Sequence, residues 1–292
     1  MIRRASVKNA LLLLTVAFCL PAQERQVDPT YLQRFVPGLT EKTADLTTPA
    51  CRYKPIFGDG DPDSRILRGI ARFGEVVVDP GGSSAQVIHA AEEQVYVVLE
   101  GAGVLHYGEE KVPVRKNDFV YLPPGISHGM ANLSSHACRL IIMGFRIPAG
   151  VLVPAPPKPL LANIDEVKQE VVAGHPPTTL YQLLMGDTRS KRDKLAAACV
   201  LTSLFVMEFA PGGTNYPHHH EREEEIYLML NGHGDMVAGS GTDGIEGRHP
   251  AKAGDAYFFR LNCTVGFYAG NKPGEEKARI LAVRSLFPSN CP

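Results

Sequence analysis

Apolar residues along this chain fall in short runs broken by Gly, Pro, Asn and Asp, with no sustained helical repeat. Val76-Val77-Val78 ends in Asp79-Pro80-Gly81-Gly82, and Met207-Glu208-Phe209 ends in Ala210-Pro211-Gly212-Gly213. Gln94 to Leu99 closes on Glu100-Gly101, and Ile226 to Leu230 closes on Asn231-Gly232. Each run reads as a β-strand followed by a turn residue that tolerates tight backbone geometry. The pattern predicts an all-β protein built as sandwiches or barrels.

The runs occur twice. Pro80 and Pro211, His89 and His220, and Gly101 and Gly232 are each separated by 131 positions. A gapless match of this kind indicates duplicated domains. Asn117 to His128 aligns with Gly254 to Val265 at a spacing of 137, so the second copy has gained six residues. The polar, Gly-rich stretch from Ala238 to Gly247 is the natural place for them.

The chemistry concentrates in the second copy, at Pro217-His218-His219-His220-Glu221-Arg222-Glu223-Glu224-Glu225. Alternate residues of an extended segment share a face, so His218 and His220 point one way and His219 the other. A tight connection then brings Glu225 onto the next strand. Two imidazoles and one carboxylate form a facial ligand set for a divalent transition metal, with Mn, Fe, Zn and Ni all compatible. The bland reading of the same stretch is a solvated, acidic histidine loop.

These motifs resemble those of the cupin family. The first cupin pattern, G-x5-H-x-H-x4-E-x6-G, starts at Gly212, and the second, G-x5-P-x-G-x2-H-x3-N, fits Asn117 to Asn132 with Asn117 in the first Gly place. The resemblance covers residues 65–145 and 179–287 and implies two tandem jelly-roll β-barrels in one chain. It implies a metal held by the two His and the Glu of the first motif and the His of the second. The C-terminal copy supplies His218, His220 and Glu225, but Val265 fills the fourth place. The N-terminal copy keeps His89 and His128, while Val87 and Gln94 replace the first His and the Glu. That vestigial set has no negative charge, so one ion is expected, in the C-terminal barrel. Glu92 or Glu93 would rescue the N-terminal set only after a shift of register, and His249 and Cys263 are weak replacement ligands for the other.

The expected organisation is a signal peptide over 1–22, an arm over 23–64, a barrel over 65–147, a Pro-rich linker over 148–178 and the metal-binding barrel over 179–288. Arg3, Arg4 and Lys8 precede the apolar run Ala10 to Leu20, too short to span a bilayer and suited to a cleaved leader. Export into the periplasm or medium is expected, with the Arg3-Arg4 pair leaving the twin-arginine route open. Removal of the leader leaves Cys51, Cys138, Cys199, Cys263 and Cys291. Cys51 and Cys291 lie near the mature termini and are candidates to pair, while Cys138 and Cys199 read as buried small apolar residues.

A net charge of -1 gives no basis for nucleic acid or an anionic membrane as partner. A small-molecule ligand is the expected partner, no membrane span is expected in the mature chain, and the oligomeric state is open. Alternation along the ligand strands places Tyr216 and Tyr227 inside the barrel, with Phe267 beside Val265. Arg260 takes the Pro place of the second motif and is a candidate carboxylate clamp at the barrel mouth. Two function classes remain. One is a metal-dependent enzyme (dioxygenase, decarboxylase, isomerase or hydrolase) on a small carboxylate or carbonyl compound; the other is a non-catalytic ligand- or metal-binding protein. The layout is broadly similar to ureidoglycine aminohydrolase-type bicupins, which place Glu and Gln where this chain has His218 and Val265, so that activity is not adopted. Oxalate decarboxylase-type bicupins keep complete sets in both barrels, unlike this chain.

Overall fold

The computed structural model describes residues 28–239, 246–272, 274, 276–289 and 291; the expected signal peptide lies outside them. Among the described residues the regular structure is β-strand, with short 3-10 turns and no α-helix. The larger sheet of the N-terminal half runs β11 (Leu160–Asn163), β8 (Asp118–Leu122), β5 (Glu92–Glu100), β10 (Cys138–Arg146), β3 (Ile70–Val78) and β2 (Cys51–Gly58). Facing it is a smaller sheet of β4 (Val87–Ile88), β9 (Ser127–Ala131), β6 (Ala102–Tyr107) and β7 (Glu110–Arg115).

The C-terminal half repeats this plan. Its larger sheet runs β1 (Tyr31–Phe35), β19 (Asp255–Phe259), β16 (Glu223–Asn231), β21 (Ala278–Leu286), β15 (Leu201–Phe209), β13 (Thr179–Asp187) and β12 (Gln169–Glu170), and β14 (Leu195–Ala198) pairs with β13. The smaller sheet is β18 (Glu246–Lys252), β17 (His233–Gly239) and β20 (Thr264–Ala269). The jelly-roll expectation therefore holds in both halves. The added residues fall where β17 gives way to β18, partly as longer strands, and residues 240–245 there are outside the described set. Gly101 and Gly232, at matching turns, have φ of 79° and 72°. A Cβ on Gly232 would meet Ala278 Cα at 2.7 Å, so only glycine fits there.

Three hydrophobic cores result. Tyr96, Val98, Val76 and Leu140 belong to the interior of the first barrel; Tyr227, Met229, Phe205 and Met207 belong to that of the second. The third lies between the two large sheets and takes the opposite faces of the same strands: Val95 and Val97 from β5, Ile226 and Leu228 from β16. Strands buried on both faces lose polar alternation, which is why β5 and β16 read as almost continuous apolar runs.

Two carboxylates are buried where the barrels meet. Glu93 accepts the backbone N–H groups of Cys199, Val200 and Leu201 at 2.7, 2.7 and 2.9 Å, and the Tyr121 hydroxyl at 2.9 Å. Glu224 accepts those of Arg68, Gly69 and Ile70 at 2.7, 2.7 and 3.3 Å. Both side chains come from matching positions of the repeat, and so do the two receiving segments. The contact is reciprocal, like the self-complementary interface of a two-fold dimer. Burial pushes the Glu93 carboxyl up, and its four donors partly offset this.

The segments outside the barrels pair with the barrel sheets. β1 adds to the C-terminal sheet through β19, and β2 adds to the N-terminal sheet through β3. Between the barrels, β11 pairs with β8 and β12 pairs with β13, so the connection is zipped to both. Asn163 Nδ2 donates to Asp118 Oδ1 at 2.7 Å, and Gln182 Nε2 donates to the Ile164 carbonyl at 2.8 Å.

The cysteine pairing differs from the expectation. Cys291 is bonded to Cys199, and Cys51 is a buried free thiol. Cys51 lies in β2, opposite Val78 of β3, in the sheet of the N-terminal barrel. The tertiary fold, not proximity to the chain ends, brings the C-terminal tail back to the segment that Glu93 binds.

Glu93→Gln and Glu224→Gln should each lower stability by about 2–3 kcal/mol, because an amide NH2 then faces backbone donors. Chemical denaturation measures this; a change below about 0.5 kcal/mol would mean the carboxylates do not hold the barrels together.

Candidate metal centre

The C-terminal cluster is built from two different local structures. Glu225 projects from β16 into the barrel, because Glu224 on the same strand faces the other barrel. His218 and His220 come from the preceding segment, which is extended but makes only isolated bridges, Thr214 with Tyr268 and His218 with Val265. Their ligand atoms and a Glu225 oxygen all lie within 4.8 Å of one another. His219 is exposed, as alternation predicts.

Each ligand is oriented by a neighbour. His218 Nδ1 lies 2.8 Å from the Tyr216 carbonyl oxygen. A carbonyl oxygen only accepts, so Nδ1 carries the proton and Nε2 presents its lone pair. His220 Nε2 lies 3.3 Å from Glu225 Oε2, and its Nδ1 faces Glu223 Oε2 at 3.6 Å. His220 Nε2 and Glu225 Oε2 are both buried without a hydrogen bond. Two orphaned donor atoms converging with a third, on two imidazoles and a carboxylate, fit a divalent transition metal.

Electrostatics agree with a ligand set held ready. Burial raises the Glu225 pKa, but the His220 contact and the charges of Arg284 and His218 outweigh it and hold the carboxyl below its ordinary value. Burial lowers the His218 pKa, which favours the neutral, ligating form. A cavity of about 80 Å³ adjoins the cluster. Beside the ligands it is lined by His175, Tyr181, Arg192, Ser203, Tyr227 and Arg284. Tyr181 Oη, Ser203 Oγ and Arg284 Nε are buried there without hydrogen bonds. A larger recess of about 990 Å³ lies along β1, β17 and β18, away from the cluster, and is open to solvent.

Of the expected pocket residues only Tyr227 lines the cavity, with its hydroxyl 3.0 Å from Asn215 Nδ2. Tyr216 has φ of 55° and a 54% exposed side chain, so it serves through its carbonyl rather than its phenol. That left-handed residue breaks the alternation, and Asn215 rather than Tyr216 is buried in the barrel. Phe267 packs on Phe209 in the barrel core, with ring centroids 4.9 Å apart. Arg260 donates to the Pro29 carbonyl at 3.2 Å and does not reach the cavity. Cys263 is buried in the core, and the His249 ring packs on Tyr31 at 5.0 Å; neither joins the cluster. Val265, in the fourth place, is 1% exposed.

The N-terminal counterpart is filled rather than open. Arg72 extends over Gly144, where a Cβ would meet Arg72 Cγ at 2.8 Å. Its guanidinium pairs with Glu92 at 3.1 Å, Asp45 at 3.3 Å and Asp59 at 3.4 Å. Gln94 Nε2 donates to Glu92 at 3.2 Å, and His128 Nε2 lies 3.1 Å from Gln94 Oε1. His89 Nε2 is 3.5 Å from Asp45. Glu92 is thus committed to Arg72, and Glu93 to the interface, so neither rescues the site. Burial lowers the His128 pKa to about 4. The neutral ring then donates to either Gln94 or the Ile126 carbonyl, 2.9 Å from Nδ1.

Arg284 is the residue that sequence reading missed most informatively. Across the ladders Gly144 pairs with Arg72, and Ser203 pairs with Arg284. Arg72 and Ser203 occupy matching strands, as do Gly144 and Arg284. Each barrel therefore carries one arginine and one small residue at this place, in opposite order. Each arginine meets the glutamate two residues before the ligand position: Arg72 with Glu92, and Arg284 with Glu223 at 3.3 Å. The repeat contained this signal; His175, outside both motifs, gave none.

Two outcomes test this contrast. Arg72→Met should cost about 2 kcal/mol or more by stranding the acidic groups around it, while leaving bound metal unchanged. The His128 shift has a definite sign, since a folded pKa below the unfolded value means the folded state binds fewer protons. That contribution is intact above about pH 6.5 and is lost as the pH falls toward 4. Melting curves over this range should flatten in His128→Gln.

A family model described as a cupin domain matches residues 74–144 and 205–284, together more than half of the chain. An uncharacterized protein of Methanocaldococcus jannaschii is 27% identical over 81 residues, which span 27% of this chain and 65% of that protein. A structural-genomics target from Pseudomonas aeruginosa superposes with a TM-score of 0.67 at 18% identity, covering 91% of this chain and 93% of that one. Protein Ylba from E. coli gives 0.65 at 15% identity, with 88% and 92% covered. Oxalate decarboxylase from Lactobacillus farciminis gives 0.64 at 12%, with 88% of each chain covered. At these identities the structural matches speak for the fold alone. With two family matches, two jelly-roll barrels and the motif geometry in agreement, the chain belongs to the cupin family as a two-domain bicupin.

Proposed function

We propose that this protein is an exported, metal-dependent enzyme that holds one divalent transition metal (Mn, Fe, Zn or Ni) on His218, His220 and Glu225 and acts on a small carboxylate or carbonyl compound. The observation that carries this reading is the pair of orphaned ligand atoms, His220 Nε2 and Glu225 Oε2, set 3.3 Å apart beside a small cavity whose other wall carries buried donors. A bound divalent ion supplies Lewis acidity and an anchoring point for a ligand oxygen. The chain's own residues do the rest. The Tyr216 carbonyl fixes the His218 tautomer. Arg284, 3.9 Å from Glu225, supplies positive charge, and Tyr181 and Ser203 have hydroxyls free to donate to a carboxylate or carbonyl oxygen. A cavity of about 80 Å³ admits only a few non-hydrogen atoms, which limits the enclosed part of the substrate to a small head group.

The oxalate decarboxylase neighbour, solved as a formate complex, acts on a compound of this size, which supports the substrate class without setting the reaction. The alternative, a non-catalytic ligand- or metal-binding protein, uses the same site and differs only in turnover. Export is supported by the Cys199–Cys291 bond, since such bonds persist in oxidising compartments. Among the described residues no helix is long and apolar enough to cross a membrane.

Metal analysis of protein purified without added metal should give one equivalent per chain, and none in His218→Ala/His220→Ala. Two equivalents, or full occupancy in the double variant, would defeat the assignment. Imidazoles ligate in the neutral form, so retained metal should fall on acidification. Turnover of small carboxylates by the loaded protein separates enzyme from binder.

A further inference from the structure

His175 belongs to neither cupin motif, yet it lines the metal cavity. It comes from the segment that joins the barrels. His175 Nδ1 lies 2.8 Å from the Asn215 carbonyl oxygen. That oxygen can only accept, so Nδ1 carries the proton and Nε2 keeps a free lone pair. His218 is pinned by the same device, through the Tyr216 carbonyl at the same distance of 2.8 Å. The His175 ring stands edge-on to His218 with centroids 5.3 Å apart, and His218 stands edge-on to His220 at 4.9 Å.

The anchor of His175 is itself fixed. Asn215 is 1% exposed, its Nδ2 donates to Tyr227 Oη at 3.0 Å, and its Oδ1 accepts from Phe267 N at 2.8 Å. Asn215 is therefore held by both sheets of the barrel, and the carbonyl that holds His175 cannot drift.

The place that His175 would fill is open in ligand terms. Val265 pairs with His218 through two backbone hydrogen bonds of 2.9 and 2.8 Å and offers no donor atom. In the other barrel the same ladder pair is inverted, with Val87 opposite His128. The C-terminal barrel has lost the imidazole of its second motif and has another imidazole beside its first.

We infer that His175 Nε2 is a fourth protein ligand of the metal, supplied by the inter-barrel segment in the place that Val265 leaves. This rests on the metal assignment made above. His175 stands outside the set of ligand atoms within 4.8 Å of one another, so it would reach a bound ion by a tilt of the ring that keeps its Nδ1 bond to the Asn215 carbonyl. The complete set is then three neutral imidazoles and one carboxylate. An ion that takes more than four ligands would still have room for a ligand oxygen. Metal binding also gains a structural consequence, because it ties the inter-barrel segment to the C-terminal barrel.

The test is Cu(II)-loaded protein read by electron paramagnetic resonance, which counts bound nitrogens, with Zn(II) affinity measured by chelator competition. Wild type should show three imidazole nitrogens and His175→Gln two, with Zn(II) affinity lowered about tenfold or more. In His175→Gln/Val265→His, with an imidazole offered from the ladder position, the third nitrogen should return. Two nitrogens in wild type overturn the inference by themselves, whether or not the variant folds. Equal nitrogen counts and affinities within twofold for wild type and His175→Gln overturn it while leaving the metal assignment standing. Failure of wild type to bind any metal overturns both.

Discussion

Two buried carboxylates, Glu93 and Glu224, are the contact on which the arrangement of the barrels depends. Each is essentially excluded from solvent, at 0% and 1% exposure, and each binds three consecutive backbone N–H groups of the other barrel. A buried charge is tolerated only when its hydrogen-bonding capacity is met, and here three backbone donors meet each carboxylate. The exchange fixes register as well as attachment, since a shift of one residue would strand the carboxylates and three donors on each side. It also reaches the candidate metal centre. Glu224 and Glu225 are neighbours on β16, one facing the interface and the other the ligand cluster. The strand that presents the carboxylate ligand is thus clamped from its opposite face.

Within that symmetric frame the two interiors diverged by a small set of changes. The same row across three strands reads Arg72, Gly144 and Gln94 in one barrel and Ser203, Arg284 and Glu225 in the other. In the first, a guanidinium occupies the centre and a ring of acids neutralises it, so no cation is needed. In the second, the arginine starts from the neighbouring strand, the serine leaves space, and an anionic ligand replaces the amide. The available oxygens decide between them. Around Arg72 the acids are committed to the guanidinium and Gln94 offers only an amide, whereas Glu225 keeps a buried oxygen without a hydrogen bond beside Arg284.

The residues outside the barrels matter more than their composition indicates. The first described strand joins the C-terminal sheet, the next joins the N-terminal sheet, and the inter-barrel segment pairs with both. The disulfide returns the C-terminal tail to Cys199, whose N–H is one of the groups that Glu93 binds. Attachments to both ends of the interface limit how far the barrels can turn against each other. They also bring His175 to the mouth of the site.

What the sequence determined is what local spacing can carry. Strand periodicity, the constant repeat offset and the paired motifs specified an all-β chain of two barrels. The facing of His218, His220 and Glu225 followed from the period of two, because extended chain alternates wherever φ stays negative. The same rule failed at Tyr216, where one left-handed residue reversed the alternation and put Asn215 inside. Tertiary structure alone decided the rest. Arg284 and Ser203 meet across a ladder between residues distant in sequence, and Cys199 meets Cys291 over a separation of 92 residues. Glu93 and Glu224 looked like spare acids beside a ligand position until the second barrel was docked against them. Neither periodicity nor motif spacing encodes which backbone donors lie on a facing surface, and that surface exists only once both barrels have folded.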